Sequence, residues 1–278
     1  MKEFVLDSVT KMDAVCWLFV LAFFCGCALL CGGDVRMAFI GAWGVIGTMF
    51  LISVSIEMII ETLKNMRGLG TIVGFITNGP EALCLIVGLL AGDVLFAAST
   101  PLGSNFMNPV LLVIAAIVTK RAIATWRTNR AYSLTCIGLT AAFAAEFYFL
   151  PEKLYWIWWG AAAIMTAVLF FWRPKEKEPE SKEEAAFSKL WLIPAVAVML
   201  TAGYFLDPVV SFASAQSHAP KNLIGFLVLA TLTSWPEFKS CLVLFRRGRV
   251  LSAILNITVS NITNIWLAML GAGIYLVF

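Results

Sequence analysis

Charged residues are scarce in this sequence, and their scarcity decides the class of protein. Asp, Glu, Lys and Arg make up 13% of the 278 residues, whereas hydrophobic residues make up 60%. In soluble domains about a quarter of the residues are charged. The composition therefore excludes a soluble domain and indicates a chain embedded in a lipid bilayer.

Histidine is nearly absent as well. The single histidine, His218, falls in a polar stretch between predicted spans, which disfavours both a catalytic triad and a zinc site. The seven cysteines lie in or beside apolar segments without a ligand-like spacing to histidine, so they are interpreted as small apolar residues rather than disulfides or a metal cluster. They are Cys16, Cys25, Cys27, Cys31, Cys84, Cys136 and Cys241. We predict no catalytic residues, no cofactor and no enzymatic activity.

Long apolar segments dominate what remains. A segment of roughly 20 apolar residues crosses a hydrocarbon core about 30 Å thick, and the sequence contains about nine of them. They lie near 14–31, 37–63, 70–91, 94–119, 132–149, 154–172, 190–210, 222–245 and 250–277. The first is interpreted as a signal anchor or a true span, because it lacks a small-residue cleavage site. The predicted fold is an all-α, polytopic helical membrane protein with about nine transmembrane helices.

The positive charges predict how these spans are oriented. Lys and Arg residues near span ends are retained on the cytoplasmic side during insertion. Alternate loops, counted from the N-terminus, carry sixteen of them, and the opposite loops carry three. This distribution predicts a cytoplasmic N-terminus, and we expect the plasma (inner) membrane. The longest hydrophilic segment, residues 173–189, is predicted to be a cytoplasmic linker between two halves.

The sequence also contains an internal repeat. Aligning the chain with itself at an offset of 156 residues matches polar residues across two spans without a gap. The matched pairs include Thr77 with Thr233, Pro80 with Pro236, Glu81 with Glu237, Ser104 with Ser260, Asn105 with Asn261 and Asn108 with Asn264. Five spans separate the starts of the two halves, and an odd number inverts the second half. Inverted repeats are a known construction of secondary transporters, whose substrate site lies near the midplane.

The repeat predicts a division of the chain. Residues 1–36 form an extra N-terminal transmembrane helix, and residues 37–172 form the first half, with its repeat at 70–119. Residues 190–278 form a second, shortened half, with its repeat at 222–277. The two halves are predicted to be two inverted repeats.

Each repeat carries a motif that suits cation binding. Pro80 and Pro236 each remove a backbone donor and free the carbonyl four residues earlier, which predicts a break in the span. Thr77 and Thr233 offer further oxygens at that break. Carbonyl and hydroxyl oxygens beside a carboxylate form the environment that Ca²⁺ and Na⁺ prefer.

Two carboxylates are the centre of the predicted site. A charged group at bilayer depth costs on the order of 3 kcal/mol, so an acidic residue inside a span usually has a function. If the halves face each other, Glu81 and Glu237 converge and balance one divalent ion. In the partner spans, a serine and an asparagine four residues apart lie on one helical face. The predicted cation ligands are Glu81, Glu237, Thr77, Thr233, Asn78, Ser234, Ser104, Ser260, Asn108 and Asn264.

Single residues of the motif have a plainer interpretation. Pro, Ser, Thr and Asn also occur in spans as packing and hydrogen-bonding devices, but the repetition of the whole constellation favours a site. Lys239, two residues after Glu237, is predicted to snorkel to the cytoplasmic surface. Glu57 and Glu61 are predicted to have a structural or gating role near the end of the second span.

At these residues the sequence resembles the cation/calcium exchanger superfamily, whose two alpha repeats carry a Gly-Thr-Ser-x-Pro-Glu element and then a Gly-Ser-Asn element. The first copy here reads ITNGPE (76–81) with PLGSNFMN (101–108), and the second reads LTSWPE (232–237) with ITVSNITN (257–264). The resemblance implies alternating-access exchange of Ca²⁺ against Na⁺ or H⁺. It also implies that the two glutamates and the nearby hydroxyl and amide groups are ligands.

The sequence departs from the family pattern at several positions. Asn78 and Gly79 replace a serine and an apolar residue, and Val259 replaces the glycine of the second Ser-Asn element. The position of Asn264 is an aspartate in many sodium/calcium exchangers, and asparagine in both repeats is more like the proton/calcium branch. The family plan of five plus five spans would continue with two more spans after the second repeat. Truncation, completion by an oligomer and a degenerate transporter are therefore alternatives.

Three hypotheses for the function follow. The first is a secondary antiporter that exchanges Ca²⁺ or a similar cation for Na⁺ or H⁺. A cation channel could use the same polar ring, and a non-transporting membrane scaffold of the same fold could retain an ancestral site. The predicted partners are the lipid bilayer and small inorganic cations rather than nucleic acid, and the oligomeric state stays open.

Overall fold

The computed structural model describes residues 4, 8–90, 94–176, 187–219 and 230–277, and the regular structure in these residues is helical. The helices are α1 (Lys11–Cys31), α2 (Val35–Leu63), α3 (Leu69–Thr77), α4 (Gly79–Leu90), α5 (Val94–Val118), α6 (Ala122–Arg127), α7 (Arg130–Phe149), α8 (Tyr155–Trp172), α9 (Leu192–Ser217), α10 (Ala230–Thr233), α11 (Trp235–Arg246) and α12 (Val250–Val277). Short 3₁₀ turns, Glu152–Leu154 and Lys189–Trp191, precede α8 and α9. The all-helical prediction is confirmed.

Seven segments of the described residues are long and apolar enough to cross a membrane. They are Lys11–Cys31, Val35–Leu63, Leu69–Leu90, Pro101–Val118, Glu152–Trp172, Lys189–Ser217 and Val250–Val277. The predicted span 132–149 corresponds to helix α7, which is not among the seven and which carries Glu146 and three tyrosine or serine residues within its apolar sequence. The predicted span 222–245 lies partly outside the described residues. The protein is therefore a multi-pass membrane protein, and nine spans stay a prediction.

The helices form two compact units, and the first comprises residues 1–59 and 189–236. Within it α2 meets α9 at close range, because a Cβ atom on Gly41 would lie 2.7 Å from the Cα atom of Ala213. A buried polar chain connects α1 with the second motif. Ser53 Oγ donates to Asp13 Oδ1 at 3.1 Å and accepts from Trp235 Nε1 at 3.2 Å. Trp235 directly precedes Pro236, so these hydrogen bonds fix the position of the first residue of α11.

The second unit comprises residues 60–188 and 237–278 and is built around α12. Helix α12 packs against α3, α5, α7 and α8, and most of its residues are buried. Lipid tails are as apolar as leucine, so helices in a membrane associate by close packing and hydrogen bonds. Both occur here. Phe147 stacks on Tyr155 with ring centroids 4.9 Å apart, and Trp266 Nε1 donates to Thr166 Oγ1 at 2.8 Å.

The end of α2 is tied to the turn between α11 and α12. Glu61 forms ion pairs with Lys64 at 2.9 Å and with Arg247 at 2.8 Å. Arg249 adds a hydrogen bond from its guanidinium to the Lys64 carbonyl at 2.6 Å. These contacts attach the end of α2 to the turn before α12, and the structural or gating role of Glu61 stays a prediction.

Helices α3 and α12 are in contact along a pair of glycines. Gly70 and Gly74 are four residues apart and therefore lie on one face of α3. A Cβ atom on Gly70 would overlap the backbone of Ser252, and one on Gly74 would lie 2.7 Å from the Asn256 carbonyl oxygen. Both positions therefore require glycine for the two backbones to approach this closely.

The first residues of the predicted linker belong to this unit. The carboxylate of Glu176 accepts the backbone N–H of Gly70 at 2.9 Å and 3.2 Å and the hydroxyl of Ser252. Gly70 lies in the first turn of α3, where backbone donors lack helical partners. Glu176 therefore bridges the N-terminal turns of α3 and α12.

We expect Gly70→Val to lower the thermal unfolding temperature of the detergent-purified protein, because the valine side chain has to push α3 away from α12. The expected loss is about 1–3 kcal/mol, the usual cost of overpacking. Gly138→Ala in α7 is the matched control, since a Cβ atom at Gly138 meets nothing within 4 Å, and alanine is the better helix former. Equal unfolding temperatures for the two variants would contradict the close approach of α3 and α12.

Candidate cation site

Both motifs break their helix where the sequence predicts a break. Helix α3 ends at Thr77, Asn78 forms a turn, and α4 begins at Gly79. In the second motif α10 ends at Thr233, Ser234 forms the turn and α11 begins at Trp235. The carbonyl of Ile76 accepts the backbone N–H of Asn78.

The two carboxylates occupy equivalent positions in the second unit. Glu81 is 5% exposed, and Glu237 is fully buried. Each carboxylate faces the serine of its own repeat through one oxygen, with Ser104 Oγ 3.5 Å from Glu81 Oε1 and Ser260 Oγ 3.4 Å from Glu237 Oε1. The Thr77 hydroxyl donates to the Gly74 carbonyl at 3.4 Å, and both Thr77 and the Glu81 carboxylate lie near enough to Glu237 to act on it electrostatically. The structure thus brings the two predicted acidic residues together.

The asparagines of the two repeats bond to each other reciprocally. Asn108 Nδ2 donates to Asn261 Oδ1 at 3.0 Å, and Asn264 Nδ2 donates to Asn105 Oδ1 at 3.2 Å. At the repeat offset of 156, Asn108 corresponds to Asn264 and Asn105 corresponds to Asn261, so the two bonds are equivalent. Reciprocal contact, in which i meets j and j meets i, is the pattern of surfaces related by a two-fold axis. The bonding therefore supports a two-fold relation between α5 and α12.

Four buried oxygens of this cluster have no hydrogen-bond partner among the described residues. They are Glu81 Oε2, Glu237 Oε2, Asn108 Oδ1 and Asn264 Oδ1. A buried polar atom without a partner costs about 1–3 kcal/mol, so such atoms need an explanation. All four atoms are acceptors, and two belong to each repeat. The oxygens of Asn108 and Asn264 are left without a partner because these residues form the reciprocal bonds through their N–H groups. A cation is the ligand that satisfies such a set of oxygens.

The remaining predicted ligands lie in different surroundings. Asn78 Oδ1 accepts from Ser260 Oγ at 2.9 Å, and its Nδ2 donates to the carbonyls of Gly74 at 3.3 Å and Ser260 at 2.9 Å. These bonds use the Asn78 amide to attach α3 to α12. In the first unit, Thr233 is half-buried, and Ser234 is buried with no hydrogen-bond partner for its hydroxyl among the described residues.

Three buried residues of the cluster are missing from the predicted ligand set. Asn105 and Asn261 appear in the repeat alignment, but they are one residue beyond the serines and so point about 100° away from them on the helix. Thr140 gives no signal in the sequence. Its hydroxyl accepts from Asn261 Nδ2 at 3.3 Å, and its carbonyl accepts from Asn105 Nδ2 at 3.5 Å. It contacts both asparagines from α7.

The prediction for Lys239 is wrong. The side chain does not reach the surface, since Lys239 is 0% exposed and is among the largest fully buried side chains of the described residues. Its position near the basic end of α11 suggested snorkelling, but the side chain lies among packed helices instead. Glu57 is also buried, at 8% exposure.

Comparisons with known proteins agree with the resemblance. A sequence family described as "Sodium/calcium exchanger protein" matches residues 189–278. A relative from Alkalimonas amylolytica, named "Putative antiporter CaxA", is 30% identical over an alignment of length 220, which covers 73% of this chain and 67% of the relative. No solved structure matches the chain.

Proposed function

This chain belongs to the cation/calcium exchanger superfamily, and we propose that it is a secondary antiporter that exchanges Ca²⁺ or a similar cation for Na⁺ or H⁺. The observation that carries the proposal is the set of four buried oxygens without partners, two from each repeat. The name of the A. amylolytica relative, which contains the word antiporter, supports it. We also propose that the protein resides in the plasma (inner) membrane with a cytoplasmic N-terminus.

The proposed ligands divide into charged and neutral groups. Glu81 and Glu237 supply the negative charge, and the amide oxygens of Asn108 and Asn264 add coordination without adding charge. Thr77 contributes a hydroxyl next to Glu237. The remaining sequence-predicted groups have supporting roles. The Ser104 hydroxyl donates to Glu81, and the Ser260 hydroxyl, which lies 3.4 Å from Glu237, donates to Asn78, whose amide attaches α3 to α12. Thr233 and Ser234 remain ligands proposed from the sequence.

Competition for two negative charges gives the exchange its basis. One Ca²⁺ balances the carboxylates of Glu81 and Glu237, and so do two Na⁺ ions or two protons. Binding of the second kind of ion therefore displaces the first. In alternating access, the spans rock about this fixed cluster and open it to one side of the membrane at a time.

The test is the uptake of radioactive Ca²⁺ by proteoliposomes that contain the full chain. Vesicles are loaded with Na⁺, loaded with acidic buffer, or left without either gradient. We expect uptake above the no-gradient level with one of the two gradients, and we expect an ionophore that dissipates this gradient to abolish it.

The same assay separates the alternatives. A channel takes up Ca²⁺ in response to an imposed membrane potential without any counter-ion gradient. A non-transporting scaffold gives no uptake above that of empty liposomes under any condition. Either result would contradict the antiporter.

A further inference from the structure

An apolar cavity of about 680 Å³ lies in the second unit, away from the cation site. The cavity is bounded by the end of α5, the short helix α6 and the start of α7, and it is open on one side. Its walls include Leu112, Ala116 and Ile137, and its floor reaches Ile254 of α12. A volume of this size accommodates a ligand of a few tens of atoms. Because these walls are apolar, the cavity suits a hydrocarbon chain better than a polar solute.

Positive charge surrounds the cavity. Arg127 and Arg130 line it directly, and Lys120 and Arg121 lie in the turn before α6. Residues 94–145 contain no Asp or Glu. Among the described residues, neither Arg127 nor Arg130 forms an ion pair, and both are exposed. The positive charge of this rim would therefore be balanced by a bound anion.

An aromatic ring marks the level at which the cavity opens. Trp126 lines the cavity, is 53% exposed, and lies under the guanidinium of Arg130, 4.1 Å from the ring centroid. Tryptophan is enriched at the boundary between hydrocarbon and headgroups, where its ring is amphipathic. The apolar cavity is therefore on the hydrocarbon side of this boundary, and the arginines are on the headgroup side.

We propose that this cavity binds an anionic phospholipid of the surrounding bilayer, with an acyl chain inside the cavity and the phosphate on Arg127 and Arg130. The guanidinium fork matches a phosphate geometrically. Segment 120–130 belongs to the loops predicted to be cytoplasmic, and the cytoplasmic leaflet carries the anionic lipids that attract basic groups near spans. A free phosphate ion would leave the apolar cavity empty, and a neutral lipid would leave the arginines without a counter-charge.

The lipid site would also be connected to the cation site. Ile254 forms its floor on α12, and the same helix carries Ser260, Asn261 and Asn264. An acyl chain against Ile254 packs on the helix that carries Asn264, one of the proposed ligands of the cation.

The test is lipid binding to the full chain in mild detergent, measured by native mass spectrometry. Phosphatidylglycerol and phosphatidylcholine with the same acyl chains are titrated separately. We expect wild type to prefer phosphatidylglycerol, and we expect Arg127→Gln/Arg130→Gln to bind it about 30-fold more weakly, since each basic group near the surface contributes about fivefold. Ala122→Trp, which puts bulk into the cavity, should weaken binding while both arginines remain.

Two controls keep the result unambiguous. Arg127→Lys/Arg130→Lys keeps the charge and should retain most of the preference, and Arg36→Gln/Lys153→Gln removes two exposed charges elsewhere and should change nothing. Equal binding of both lipids to wild type would overturn the proposal, and so would an unchanged affinity in both the Gln pair and Ala122→Trp. Competition by glycerol phosphate as effective as by the lipid would assign the site to a soluble phosphate instead.

Discussion

Glu81→Gln and Glu237→Gln are each expected to remove most of the stabilisation that Ca²⁺ gives to the purified protein. At a Ca²⁺ concentration of 100 times the Kd, binding adds about 2.7 kcal/mol to the stability of the wild type. Removing one of two buried charges around an ion costs on the order of 3 kcal/mol or more, which weakens binding at least a hundredfold. The remaining stabilisation is then about 0.4 kcal/mol. Thermal unfolding in detergent, with and without Ca²⁺, measures both quantities.

The same substitutions should act in the opposite direction when Ca²⁺ is absent. The two carboxylates are buried and interact electrostatically, and in such a site like charges repel each other and desolvation is costly. Replacing one with a neutral amide of the same shape is expected to raise the stability of the ion-free protein by about 1–4 kcal/mol. A purely structural glutamate would instead lose stability in both conditions.

The matched control is Glu152→Gln, since Glu152 is exposed and bonds to Tyr275 outside the candidate site. It should leave the Ca²⁺-dependent shift unchanged. If Glu81→Gln and Glu237→Gln both retained the full shift, the cation site would have to be placed elsewhere.

Asn105→Leu and Asn261→Leu are expected to destabilise the protein by similar amounts. Each removes an amide that is fully buried and that bonds across the two repeats. Asn105→Leu leaves the Asn264 amide without its acceptor, and Asn261→Leu takes one acceptor from Asn108. Losing a buried partner costs about 1–3 kcal/mol. We therefore expect a loss of about 2 kcal/mol in each variant, measured as a lower thermal unfolding temperature without Ca²⁺.

Thr263→Val on α12 is the control for this pair. The Thr263 hydroxyl bonds only to the Val259 carbonyl of its own helix, at 2.8 Å, among the described residues, and valine has nearly the same shape. Its effect should stay below about 0.5 kcal/mol, the usual range for a change without a packing or bonding defect. A loss in only one of the two asparagine variants would argue against a two-fold relation between the repeats.

The motif residues were predictable because their chemistry is unusual for a membrane span. A proline followed by a glutamate, twice at one offset, predicts a helix break and a buried acid, and the structure has both at Glu81 and Glu237. The orphaned oxygens of Asn108 and Asn264 also belong to predicted ligands. That these groups bind an ion stays a prediction.

Residues whose role depends on a neighbouring helix were not predictable in the same way. Thr140 carries no motif, and it matters only because α7 packs beside Asn105 and Asn261. The prediction for Lys239 followed the rule that lysines in spans snorkel. Whether its side chain is buried depends on which helices surround α11, and the residues around Lys239 in the sequence do not determine that packing. Asn78 has the residue type of a ligand, and the bond that its oxygen accepts from Ser260 depends on the packing of α3 against α12.

The hydrogen bonds of Glu176 to Gly70 and Ser252 limit where the chain can be cut or extended between its two halves. The segment after α8 has the composition of a plain tether, and it would be the natural place for a protease site, a fluorescent fusion or a split between co-expressed fragments. An insertion at Pro174 would detach the carboxylate from Gly70 and Ser252, and with it the clamp on the first turns of α3 and α12. The same insertion placed after Glu176 keeps these hydrogen bonds, because Glu176 then stays continuous with α8. The permissible cut therefore begins beyond this residue.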